Sequence, residues 1–198
     1  YAPPVHKEFA AAGVPFEKRV GRFMEAFRLM RALWQGDAVS WEGRWRLDNQ
    51  SVAPLPYQTG GPPIWIGTGS DAGIVRTAKN FDGWFPIGPD AATIAKKREL
   101  LFSHCGESPM TTTVYLTIAV MDDKAAAEQA IDDYLLEYYG MSASILRSWQ
   151  ACCGGTLPEV LSFLRGFVEV GADHLVLRLV GDHGKALKAI AAARSELD

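Results

Sequence analysis

Apolar and polar positions change period several times along the chain, and each change marks an element. Over Glu17–Gln35, Phe23, Phe27, Met30 and Trp34 recur at four-, three- and four-residue steps, widened by Ala26 and Leu33. That is the stripe of an amphipathic helix, which Gly36 is placed to end. From Val39 to Leu47 the pattern alternates about Gly43, as in a small β-hairpin. Residues 1–16 read as a loop with one helical turn near His6–Ala12, and residues 48–63 as a loop punctuated by proline and glycine.

Beyond Pro63 the pattern becomes continuous apolar runs separated by helical stretches. Ile64-Trp65-Ile66 suits a buried strand covered on both faces. A glycine-rich turn, a helix and a second strand at Asp82-Gly83-Trp84-Phe85-Pro86 complete a β-α-β unit. Asp90 caps a helix to about Cys105, Thr111–Val120 is a β-branched strand, and Asp122 and Asp123 open a helix to about Tyr139. Residues 142–150 suggest one more short helix, and Ala151–Gly155 a mobile connection. Thr156-Leu157-Pro158-Glu159 is a capping box, starting a helix that Gly171 ends. His174–Val180 is a further strand and Gly184–Leu197 a closing helix. Strands near 64–67, 83–86, 112–120 and 174–180 alternating with helices give an α/β class with a parallel sheet, in one domain over residues 1–198.

Composition narrows the picture. Of 198 residues, 48% are hydrophobic and 22% charged, and the formal charge is −3, so nothing invites a nucleic acid. Arg19, Arg22, Arg28 and Arg31 read as a solvated helix face. No apolar run approaches the roughly 20 residues that cross a bilayer, and no leader precedes the first element, so the expected setting is cytoplasmic. Cys105, Cys152 and Cys153 suit neither a disulfide framework nor a metal site, so no metal is expected. The chain starts at Tyr1 without a methionine, which leads to the expectation that it is a piece of something longer.

The candidate chemistry sits at Gly67-Thr68-Gly69-Ser70-Asp71-Ala72-Gly73. Its glycines stand where backbone comes close to a neighbour, and Ser70 or Asp71 can cap the following helix. A helix start with free N–H groups binds anions. Two readings stand: a phosphate cradle for a cofactor, and a plain strand-to-helix turn, which these residues alone favour.

The order of landmarks tips the balance. Arg22…Glu25…Leu33-Trp34, Glu42-Gly43-Arg44, Pro54-x-Pro56-x-Gln58, Pro62-Pro63-Ile64-Trp65-Ile66-Gly67 and Asp82-Gly83-Trp84-Phe85 follow in sequence. Downstream come Gly155-Thr156-x-Pro158-Glu159-Val160 and Gly171-Ala172-Asp173-His174-Leu175-Val176-Leu177. Together they resemble the bacterial-luciferase-like family of flavin- or deazaflavin-dependent oxidoreductases. The resemblance implies a (β/α)8 TIM barrel of which this chain covers roughly the second half, strands five to eight, with a small β-hairpin insertion. A full barrel takes about 250 residues. It implies FMN, alternatively a deazaflavin coenzyme, with the phosphate held by Gly67, Thr68, Gly69, Ser70 and Gly73, and Tyr1 near the cofactor. Monooxygenase relatives use reduced flavin and oxygen on a small organic substrate, while deazaflavin relatives pass a hydride directly. The alternative is a truncated, non-catalytic relative that binds a ligand or partner.

Catalytic residues are not assigned. Trp65, Trp84 and Phe85 are expected in the core, Asp82 in a turn, His174 in a structural role, and Tyr138, Tyr139 and Trp149 along a substrate entrance. A homodimer is expected, because the Phe23–Trp34 helix and any open sheet edge need cover.

Overall fold

A computed structural model describes residues 3–197, in two compact units, Tyr1–Pro62 and Pro63–Asp198. Tyr1 lies outside the described residues.

The first unit contains α1 (Pro3–Ala11), a 3-10 turn at Phe16–Lys18, α2 (Arg19–Leu33), and an antiparallel pair β1 (Val39–Glu42) and β2 (Arg46–Gln50). α2 covers most of the expected stripe, Phe27 fully and Ala26, Met30, Leu33 and Trp34 in part, but not Phe23. Phe27 and Leu29 are buried with Glu25, while Phe23 is 45% exposed. Glu25 is accommodated there because its carboxylate accepts from both the backbone N–H and the guanidinium of Arg44 in the hairpin turn. The backbone bond from Arg44 holds the Glu25 pKa below the ordinary carboxylate value. A Cβ at Gly43 would press on that carboxylate and displace it from Arg44. The helix arginines are not merely solvated: Arg19 sits 3.5 Å over the Phe16 ring and Arg22 5.2 Å over Trp45.

The second unit alternates strand and helix. Its elements are β3 (Trp65–Ile66), α3 (Asp71–Asn80), β4 (Gly83–Trp84), α4 (Ala91–Cys105), β5 (Thr111–Val120), α5 (Lys124–Tyr139), α6 (Ala143–Arg147), β6 (Cys152–Gly155), α7 (Leu157–Glu169), β7 (His174–Leu179) and α8 (His183–Ala192). Every strand pair in it is parallel. β3 pairs β4, and β4 pairs the first two residues of β5; β7 pairs Thr113–Ile118 of β5, and β6 pairs Thr117–Val120. Val114, Leu116 and Ile118 of β5 pack on Leu101, Leu164 and Phe167 from the helices.

Two expectations change here. Ala151–Gly155 is not a mobile connection, because Cys152–Gly155 is strand β6. Trp65 is not core: among the described residues β4 alone pairs with β3, and the indole stays 38% exposed.

Two aspartates set the register where strands begin. The Ile64 N–H donates to Asp82 Oδ2 at 2.8 Å while the Asp82 N–H donates back to the Ile64 carbonyl at 3.0 Å. Asp173 repeats the arrangement with Thr112, at 2.7 and 2.9 Å. Asp82 thus serves the sheet, as a turn residue was expected to.

Helix starts follow the sequence closely. Asp90, Asp123 and Asp182 cap their helices through first-turn amides. At α7, Glu159 accepts from the Thr156 N–H and hydroxyl at 2.9 Å and from the Lys124 ammonium at 2.9 Å. The Lys124 bond, then those from Thr156, lower the Glu159 pKa to about 2. A depressed carboxylate contributes stability fully above its unfolded value of 4.5 and loses it as pH falls toward about 2. We expect the urea midpoint of the wild type to drop across that window. Glu159→Gln should flatten that part of the drop, and an identical pH slope in both proteins would contradict the assignment.

Candidate functional site

Because the strands of the second unit run parallel, their carboxyl ends lie at one end of the sheet. There the helix caps Ser70, Asp90, Asp123, Thr156 and Asp182 also gather, and α/β folds bind ligands at this end. The aspartate clasps lie at the opposite end.

The Gly67–Gly73 corner follows β3. Ser70 caps α3, its Oγ accepting from the Gly73 N–H at 3.2 Å. The hydroxyl keeps its own proton to donate elsewhere. Asp71 and Ala72, the first helical positions, have amides with no carbonyl partner within the helix. Residues 69–72 are exposed, so side chains do not plug the corner. The corner is held from behind: the Trp84 indole N–H donates to the Thr68 carbonyl at 2.9 Å, and the Lys97 ammonium to the Gly69 carbonyl at 2.7 Å.

The structure brings Gly67, Thr68, Gly69, Ser70 and Gly73 together, but its glycines are not equivalent. A Cβ at Gly73 would lie 2.0 Å from Thr68 Oγ1, whereas at Gly67 and Gly69 it would find contacts of only 3.5 and 3.6 Å. Lys97 was missed in the sequence, because nothing local links a lysine in α4 to a turn 28 residues earlier.

The second feature lies on the sheet face turned away from the helices. Leu175, Leu177 and Leu179 of β7 pack against the helix-side core, so the alternate residues His174, Val176 and Arg178 face the other way. His174 is exposed and stacks on Trp65 at 5.4 Å. Near the carboxyl end of β7, Arg178 Nε donates to the Tyr115 hydroxyl at 3.1 Å. Its guanidinium lies 5.3 Å over the Tyr138 ring and 5.9 Å over Tyr134. Tyr134 and Tyr138 stack at 5.4 Å, and Tyr139 meets Tyr138 edge-on at 4.8 Å.

Burial, reinforced by Tyr115, pushes the Tyr139 hydroxyl up to about 12. An open cavity of about 530 Å³ adjoins the cluster, lined by Tyr115, Val176, Arg178, His183 and Leu187 among others. Of the expected entrance residues, Tyr138 and Tyr139 join this cluster, and Trp149 lies 41% exposed just past α6. Arg178 was missed as well, since a single arginine in an apolar strand carries no local signal.

Cys152 and Cys153 carry thiols raised by burial, Cys152 to about 11, and are poor nucleophiles. Among the described residues, no group of three or more His, Cys, Asp or Glu is placed to hold a metal ion, and no helix is long and apolar enough to cross a membrane.

Comparison with known proteins adds a family and a fold. The profile of a family described as luciferase-like monooxygenase matches residues 4–174. Among curated proteins, the chain is 30% identical over 125 residues to an F420-dependent glucose-6-phosphate dehydrogenase of Mycobacterium tuberculosis, covering 63% of this chain and 32% of that one. It is 28% identical over 134 residues to a phthiodiolone/phenolphthiodiolone dimycocerosates ketoreductase of Mycobacterium kansasii, covering 63% and 36%. The chain therefore spans only about a third of the length of these relatives. Among solved structures, a long-chain alkane monooxygenase superposes with a TM-score of 0.72 at 14% identity, covering 92% of this chain and 57% of that one. An F420-dependent secondary alcohol dehydrogenase superposes with a TM-score of 0.63 at 17% identity, covering 78% and 54%.

Proposed function

Since the chain belongs to the luciferase-like monooxygenase family, we propose that it is part of a flavin-dependent oxidoreductase acting on a small organic substrate, with a deazaflavin as the alternative cofactor. The observation that carries this reading is the open corner at Gly67–Gly73. It offers the amides of Asp71 and Ala72, the Ser70 hydroxyl proton and the dipole of α3 to one anion. Lys97, whose ammonium is held on the Gly69 carbonyl at 2.7 Å, adds a positive charge beside the turn.

Under this reading Gly67, Thr68, Gly69, Ser70 and Gly73 hold the phosphate, Ser70 and the amides by direct donation and Gly73 by allowing Thr68 to pack beneath it. β3, β4, β5 and β7 correspond to the fifth to eighth strands of a barrel, with the β1–β2 hairpin as an insertion. When bound, the cofactor supplies the redox chemistry. This chain orients it and keeps water from its reacting face. The F420-dependent relatives support the deazaflavin alternative and the monooxygenases the flavin.

The test compares FMN with riboflavin, which differ by the phosphate. We expect FMN to bind the chain about tenfold or more tightly, as one charge-assisted anion site allows. Lys97→Met should erase most of that preference while leaving riboflavin binding unchanged. Equal affinity for the two flavins in the wild type, with F420 also failing to bind, would sink the proposal.

A further inference from the structure

We draw no further inference here: the strongest candidate, the open groove along the outer edge of β7 lined by Val176, Leu177, Leu179 and Leu187, carries nothing, because nothing in the structure shows what covers it.

Discussion

Trp84→Ala will remove about 3–5 kcal/mol of stability, the range for truncating a fully buried aromatic, and will loosen the anion corner. Trp84 has no exposed surface and packs in the main core with Ile74, Ile94 and Leu101. Its indole N–H also holds the Thr68 carbonyl, so core and site share one side chain. Trp84→Phe separates the two contributions. It keeps most of the packing but leaves the Thr68 carbonyl without its donor, at about 1–3 kcal/mol if no water replaces it. Urea unfolding measures the stability, and the FMN-to-riboflavin preference measures the corner. A Trp84→Phe protein with the full preference would show that the indole bond does not hold the turn.

Gly154→Ala should be nearly as damaging, although it adds one methyl group. A Cβ there would lie 2.5 Å from the Glu128 amide nitrogen and 2.6 Å from the Ala127 carbonyl carbon. These are backbone atoms of α5, so the whole helix must shift, and overpacking of this kind costs about 1–3 kcal/mol or more. The same shift disturbs the Glu128 carboxylate, which accepts the Gly154 N–H at 2.9 Å and pairs with Arg147 of α6. Gly166→Ala is the control. It lies within α7 with nothing within 4 Å of the added carbon, and should raise stability by about 0.5–1 kcal/mol through helix propensity. Equal urea midpoints for the two alanine variants would refute the argument.

The contrast shows what could be read from the chain alone. Helix starts such as Thr156 with Glu159, or Asp123 before α5, were legible because cap and amide lie within a turn of each other. The long strand β5 announced itself through consecutive β-branched residues. β6 did not, since Cys-Cys-Gly-Gly has no strand preference of its own. It is a strand because β5 offers an edge and α5 can press against its glycines, and both causes are distant in sequence.

Trp65 misled for the related reason that an apolar run says nothing about whether a sheet continues beyond it. Glu25 is buried beside Phe27 because Arg44 of the hairpin, 19 residues on, neutralises it, a partner that the helix pattern does not reveal. At the candidate site, the glycine turn was visible as a pattern. Lys97, which braces the turn through the Gly69 carbonyl, and Arg178, which sits among the tyrosines, arrive from other elements and had no local signature.

The paired bonds of Asp82 and Asp173 separate the task of aligning the sheet from whatever its far rim carries. Slipping a strand by one residue would turn its side chains to the wrong face, and each aspartate resists that slip with two bonds at the foundation of the sheet. With the foundation locked, the loops at the opposite rim can be substituted without loosening the alignment beneath them.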